Sequence, residues 1–75
     1  MESRIAQAVQ EKLDNCLHVK EFALRAVPIG GEVEIQGVVR TFYQKQMAGV
    51  AALEVLRELG QVEFRLRNEV RVEAW

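Results

Sequence analysis

Cysteine, proline and histidine each occur once among the 75 residues of this chain. Cys16 has no second cysteine, which excludes an intrachain disulfide and a cysteine metal cluster. His18 lies two residues away, but the end of a predicted helix falls between the two side chains, so they are not expected to form a nucleophile and base pair. We therefore predict no catalytic, cofactor-binding or metal-binding residue. Cys16 is expected to be a small buried hydrophobe, the alternative being an exposed thiol that cross-links two chains.

Charge of one sign is not in excess either. Ten Lys and Arg residues stand against eleven Asp and Glu residues, which gives a net charge of −1. A nucleic-acid-binding domain usually has a basic footprint that neutralises phosphates, so the composition disfavours a nucleic-acid partner. The hydrophobic content of 49% and charged content of 28% are those of an ordinary globular domain. A chain of this length can bury one compact core.

Long apolar runs are absent as well. No stretch approaches the ~20 apolar residues that span a bilayer, and residues 1–14 carry charges where a signal peptide has an apolar core. The chain as written is therefore expected in the cytoplasm. If it is a fragment of a longer exported protein, the cell envelope is expected instead.

Two stretches have the apolar spacing of amphipathic helices. Ser3 can cap the first helix, which is predicted to end near Asp14 and Asn15 because these residues are poor helix formers. The predicted apolar face of this helix consists of Ile5, Ala8, Val9, Leu13, Cys16 and Leu17.

The second helix has a recognisable signal at each end. Thr41 and Gln44 have the capping-box spacing, in which each side chain satisfies a backbone donor of the other residue. Gly60 is expected to terminate the helix in the left-handed conformation. Apolar residues between these ends are widely spread, so much of the helix circumference should be covered.

Three stretches alternate apolar and polar residues, which is the period of a strand. The first runs from His18, the second lies within Gly30–Arg40 and the third follows Gly60. Pro28, Gly30 and Gly31 predict a hairpin between the first two strands. The predicted buried sides, in chain order, are Phe22, Leu24 and Ala26, then Val33, Ile35, Gly37 and Val39, then Val62, Phe64, Leu66, Val70 and Val72.

The element order is helix, strand, strand, helix, strand, and each element has one apolar side. This order predicts a single α+β domain over residues 1–75, a two-layer αββαβ sandwich with two helices packed on one face of a three-stranded mixed sheet. Asn68 interrupts the buried side of the third strand. It predicts a bulge, a polar bond or a shift of register at that point.

Gly37 lies where the alternation of the second strand calls for a buried side chain. A missing side chain lets another element approach the sheet closely. The small residues of the second helix, Ala48, Gly49, Ala51 and Ala52, are predicted to occupy this space. A Gly37→Val substitution is then expected to be strongly destabilising through overpacking.

The chain resembles a BON domain, a small module named for bacterial osmotically inducible protein Y and nodulation proteins. The family strand motif V-x-L-x-G-x-V corresponds to Val33, Ile35, Gly37 and Val39. The tail "RNEVRV" matches the family ending at Asn68, Val70 and Val72, while the Gly-Val step after the second helix is stretched by one residue. The resemblance covers nearly the whole chain.

This resemblance implies an αββαβ fold with a mixed sheet, no catalysis and no cofactor. It also implies a role in binding phospholipid surfaces or other envelope proteins. BON domains commonly occur in tandem or beside other modules of exported proteins, and a solitary copy departs from that habit.

The third strand carries the candidate binding residues Arg65, Arg67 and Arg71 on the side away from the helices. Such a row can attract anionic headgroups or an acidic partner. Carboxylates of the same row and of the neighbouring strand can neutralise it, and a solvated, internally paired face is favoured. These carboxylates are Glu63, Glu69, Glu73, Glu32 and Glu34.

The same outer side is predicted to carry an apolar patch. Its members are Val19, Ala23, Val27 and Val38, and Tyr43 and Trp75 can extend it. Several apolar residues on the uncovered face of a small sheet indicate contact with a partner, and a second copy of the chain is the simplest one. A frayed terminus is an equal explanation for Trp75.

Taken together, the sequence predicts a non-enzymatic binding module. Its partner would be a protein, a second copy in a homodimer or an anionic membrane surface. The alternative is a nucleic-acid-binding αβ domain resembling half of a KH domain, which is weaker because no G-x-x-G loop lies between helices.

Overall fold

The computed structural model describes residues 2–61 and 64–74, apart from the side chains of residues 2 and 3. The predicted strand and surface residues Val62, Glu63 and Trp75 therefore lie outside the described part. Ser3 lies inside the first helix, which begins at Glu2, so the prediction that Ser3 caps this helix is wrong. The elements, in chain order, are α1 (Glu2–Asp14), a 3₁₀ helix (Lys20–Phe22), β1 (Arg25–Ile29), β2 (Glu32–Gln36), β3 (Val38–Val39), α2 (Phe42–Glu58), β4 (Arg65–Asn68) and β5 (Arg71–Val72).

The sheet is mixed, with the strand order β1-β2-β4 and a short β3-β5 continuation. β1 and β2 are antiparallel and joined by Gly30 and Gly31 alone. Both glycines have positive φ, at 47° and 80°, as a tight two-residue hairpin of the I′ type requires. β2 runs parallel to β4 and β3 runs parallel to β5, with α2 as the crossover. The predicted α+β sandwich with two helices and a three-stranded mixed sheet is confirmed.

β2 with β3, and β4 with β5, form two long strands, each with a short interruption. Glu32 faces Arg65 and Val39 faces Val72, so the register is the same on both sides of the interruptions. The amide of Arg71 donates to the carbonyl of Gly37 at 2.9 Å and bridges the gap. Of the alternatives at Asn68, the bulge and the register shift are therefore wrong.

Asn68 makes the polar bond instead. Its Nδ2 donates to the Lys45 carbonyl of α2 at 2.8 Å, and its Oδ1 accepts from the Val70 amide at 3.3 Å. A Cβ on Gly49 of α2 would lie 3.0 Å from Asn68 Nδ2, so the glycine makes room for the amide. This pair joins α2 to the third strand.

One apolar core lies between the sheet and the helices. The side chains of Val33, Ile35 and Val39 have no exposed surface, as the strand alternation predicts. They pack with the inner sides of both helices, and the largest fully buried side chains of the core are Ile5, Leu13, Leu24, Ile35, Val9, Val19, Val33, Val39 and Val70.

The predicted first strand is wrong before Arg25. The chain leaves α1 at Asp14, makes a turn and a 3₁₀ helix, and passes through Ala23 in the left-handed conformation with φ 52°. Because the helix has already ended, Leu17 does not lie on the core and its side chain is 81% exposed. Val19, predicted on the outer sheet face, is instead buried in the core.

A glutamine of α1 holds the start of β1. Gln10 Nε2 donates to the Leu24 carbonyl at 2.7 Å, and Gln10 Oε1 accepts from the Ala26 amide at 2.8 Å. Leu24 is buried between these two bonds, only 2% exposed. Gln10 has no sequence signal for this role, because its partners lie 14 and 16 residues along the chain.

Leu24 also explains Gly37, and the predicted contact of Gly37 with the small residues of α2 is wrong. A Cβ on Gly37 would lie 2.5 Å from Leu24 Cδ2 and 3.4 Å from Leu24 Cα. Gly37 also has φ +142°, a conformation that side-chain-bearing residues rarely adopt. The absence of a side chain at Gly37 therefore lets the segment before β1, and not a helix, pack closely against the second strand.

Both ends of α2 follow the sequence signals. Thr41 Oγ1 accepts from the Gln44 amide at 3.1 Å and Gln44 Oε1 accepts from the Thr41 amide at 3.1 Å, which completes the capping box. At the other end Gly60 has φ 69°, and the Gln61 amide donates to the Leu56 carbonyl at 2.8 Å. That bond is the long bond of a Schellman motif, which gives α2 a sharp end.

Candidate binding surface: the outer face of the sheet

The face of the sheet turned away from the helices, called the outer face below, is made by alternate residues of the three strands. Its charged members among the described residues are five arginines and four glutamates: Arg25, Arg40, Arg65, Arg67 and Arg71, and Glu32, Glu34, Glu69 and Glu73. The alternation that buries Val33 and Ile35 on the other side fixes these positions. The outer face is therefore rich in charge but close to neutral.

Arg67 lies at the centre of an ion-pair network. Its Nη1 is 3.8 Å from a carboxylate oxygen of Glu32 and 3.9 Å from one of Glu34, both on the neighbouring β2. Its Nη2 is 3.5 Å from Glu69 on its own strand. Gln36 Nε2 donates to Glu34 and extends the network by one residue. Three carboxylates thus neutralise the middle arginine of the candidate row.

The two flanking arginines are more accessible. Arg71 pairs with Glu73 two residues along the same strand, and its side chain is 74% exposed. Arg65 is exposed and has no ion pair with any residue in 2–61 or 64–74. The row therefore does not act as one cationic strip, because three carboxylates compensate its central arginine, whereas Arg71 has one carboxylate partner and Arg65 has none among the described residues.

The predicted apolar patch on this face does not form. Val19 is in the core, and Ala23 lies in the turn before β1 rather than on the sheet. Val27 and Val38 do lie on the outer face, both half-buried, but Val27 pairs with Glu34 and Val38 lies beyond Gly37. The four predicted members are therefore not brought together, and the exposed Ile29 is the apolar residue that lies beside Val27 on the outer side of β1.

Exposed aromatic side chains lie at the start of α2. The ring of Tyr43 meets His18 edge-on, with the ring centroids 5.4 Å apart. Phe42 is 76% exposed and lines a cleft of about 380 Å³ with Lys45 and the strand residues Val70 and Val72. Tyr43 was predicted as a surface residue, whereas the exposure of Phe42 was not predicted from the sequence.

The other sequence candidates are not brought together. Cys16 is half-buried against the core as a free thiol, whereas His18 is exposed and contacts Tyr43. Among the described residues no group of three or more His, Cys, Asp or Glu side chains is placed to hold a metal ion. Within the same part of the chain, neither helix has the length and apolarity needed to cross a membrane.

Comparison with known proteins gives one match. The model of the BON domain family matches residues 2–68, from α1 to the end of β4. No curated protein and no solved structure matches the chain. The family consists in general of non-enzymatic binding modules. Since the match covers nearly the whole chain and the αββαβ sandwich agrees with it, this protein belongs to the BON domain family.

Proposed function

We propose that this BON domain is a non-enzymatic module that binds a protein partner through the outer face of its sheet and the adjoining strand edge. The helix-facing side is closed by the core, so the outer face is the broad surface that secondary structure leaves uncovered. The single observation that supports protein contact is the network around Arg67.

Mixed charge suits a protein partner better than a lipid surface. An anionic membrane attracts clustered positive charge, whereas this face alternates Arg and Glu. A partner with the opposite alternation can match each position, and such matching sets orientation and specificity. Because the outer face is close to neutral, a partner would be recognised by the arrangement of its charges and not by its net charge.

Anionic phospholipid is the second candidate, and two observations favour it. Arg65 has no ion pair within the described residues, and Arg71 is largely exposed. Each positive charge close to an anionic surface contributes about 1 kcal/mol. These two arginines alone predict weak binding that moderate salt removes.

Site-specific photo-crosslinking in the cells that make the protein tests the proposal. A photoreactive residue is placed at Val38 on the outer face or, as the matched control, at the exposed Gln7 of α1. We expect discrete crosslinked protein bands from position 38 and none from position 7. Equal labelling from both positions, or no protein product from position 38, would contradict protein contact through this face.

Vesicle flotation distinguishes binding to anionic phospholipid from binding to a protein partner. The purified chain is mixed with neutral and with anionic vesicles at low and moderate salt, beside an Arg65→Glu/Arg71→Glu variant. The proposal predicts that the chain stays in solution in every case. Flotation with anionic vesicles that the double substitution removes would favour the lipid candidate, and salt-dependent binding to RNA would favour the KH-like alternative.

A further inference from the structure

The third strand, β4 with β5, leaves one backbone edge uncovered. The amides of Glu69, Arg71 and Glu73 donate inward to carbonyls of the second strand at 2.9 to 3.0 Å. Successive residues of a strand point their backbone groups to opposite sides, so those of Val70 and Val72 face outward. No further strand pairs with this edge in the described part of the chain. Such an edge is a template for another strand.

The charges along this edge are complementary to those of the same edge in a second copy of the chain, in one antiparallel arrangement. When Val70 lies opposite Val70 of a second copy, Arg67 faces Glu73 and Glu69 faces Arg71, so every charged cross-strand pair from 67 to 73 joins opposite signs. A slip by two residues in either direction sets Arg against Arg or Glu against Glu. The charge order thus favours one register and disfavours its nearest alternatives.

Backbone geometry agrees with that register. Val70 would form a hydrogen-bonded pair with its own copy, because its backbone groups are among those that face outward. The charged residues would then occupy the non-hydrogen-bonded positions, where the side chains of antiparallel strands are closest. The charged pairs would therefore have their closest approach in the register that makes them complementary.

The helix side of the same edge carries exposed apolar residues. Phe42 lines the cleft beside Val70 and Val72, and Leu53, 44% exposed, lines another beside Phe64. The opposite side of α2 meets α1, where Lys12 Nζ lies 3.8 Å from Glu54. Phe42 and Leu53 thus lie on the side of α2 that overlooks the open edge. A copy joined at this edge would bring its own α2 alongside and cover them.

We propose that two copies of this chain associate by antiparallel pairing of the third strand, with Val70 opposite Val70, into a continuous six-stranded sheet. This inference rests on the proposed function and names its partner as a second copy. The Asn68 Oδ1 bond to the Val70 amide, 3.3 Å long, is exchanged on pairing for a strand bond to the Val70 carbonyl of the other copy. The Asn68 bond to Lys45 remains in place.

Charge exchange tests this register with sedimentation velocity. In Glu69→Arg alone, arginines face each other across the two-fold axis, and in Arg71→Glu alone, glutamates do. Mixing the two variants restores opposite signs at both positions, and so does the double variant Glu69→Arg/Arg71→Glu, whose net charge equals the parent's. Each protein is measured from about 1 μM to about 1 mM, with thermal melting to verify that it is folded.

The parent and the double variant are expected to reach twice the monomer mass. Each single variant should associate at least about tenfold more weakly than the parent, and the mixture of the two should recover the parent's affinity. A monomeric parent at about 1 mM would overturn the proposal, as would single variants that associate like the parent. If the parent is monomeric while position 38 still crosslinks to another protein, self-pairing fails and the proposed function stands. If neither is seen, both fail.

Discussion

The two faces of the sheet are built from alternate residues of the same strands, and they differ in what fixes them. On the helix side, Val33, Ile35 and Val39 are fully buried, and a Cβ on Gly37 would lie only 2.5 Å from Leu24 Cδ2. On the outer side, Arg67 is placed by ion pairs 3.5 to 3.9 Å long, which solvent can reach. Stability should therefore reside mainly in the first face and recognition in the second.

This division follows from the cost of each kind of contact. A buried close contact tolerates no added volume, because the interior is packed to crystal density. An exposed ion pair gains little free energy, since water and salt screen it and two long side chains must be ordered. The outer face can thus change its charges without unfolding the domain.

The largest expected effect is at Gly37. Gly37→Val would set a branched side chain against Leu24 at positive φ, and we expect it to lower the free energy of unfolding by about 3 kcal/mol or more. Gly31→Val is the matched control, because Gly31 also has positive φ but a Cβ there meets nothing within 4 Å. Urea unfolding of both variants separates the clash from the backbone strain. A Gly37→Val melting temperature within about two degrees of the parent's would contradict the account.

Asn68→Ala comes next. It removes the bond to the Lys45 carbonyl and the bond from the Val70 amide, both part-buried, at an expected cost of about 1 to 3 kcal/mol. Gln7→Ala, an exposed amide on α1, is the control and should change stability little. If Asn68→Ala unfolds at the same urea concentration as the parent, the link between α2 and the third strand is not a stabilising one.

Thr41→Ala should have a smaller effect. The substitution removes the Oγ1 acceptor of the Gln44 amide and should cost about 1 kcal/mol. Thr41→Ser keeps the hydroxyl and is expected to stay close to the parent. Thermal unfolding followed by circular dichroism is sufficient, and equal losses in the two variants would mean that the hydroxyl is not responsible.

The smallest effect is expected on the outer face. Arg67→Gln breaks three ion pairs at once, yet its side chain is 51% exposed, so the loss should remain below about 1 kcal/mol and shrink in high salt. Lys20→Gln removes an exposed positive charge away from the sheet and serves as the control. A loss above about 2 kcal/mol in Arg67→Gln would erase the contrast between the two faces.

The sequence was sufficient where local signals and periodicity act alone. The capping box at Thr41, the left-handed Gly60 and the alternation of the second strand each depend on neighbours in the chain, and each occurs as predicted. The sandwich follows from them, since every element had one apolar side to cover.

Contacts between segments that are distant in the chain could not be predicted from the sequence. Alternation at Phe22 and Leu24 resembles a strand, but the left-handed Ala23 breaks it before Arg25. The segment does carry a signal of its own, because apolar residues recur every three positions, as in a 3₁₀ helix, at Cys16, Val19 and Phe22. The alternation at Phe22 and Leu24 obscured it. The partner of Gly37 and the role of Gln10 depend on where that segment docks, which no local pattern specifies.

The most direct test of the open edge compares two adjacent amides of the third strand by hydrogen exchange, read by nuclear magnetic resonance at increasing protein concentration. The Arg71 amide, bonded to the Gly37 carbonyl, should be protected at every concentration. The Val72 amide, which faces outward, should exchange rapidly in dilute protein and become protected as the concentration rises. A Val72 exchange rate that does not depend on concentration would contradict the claim that this edge is a contact surface for a second copy.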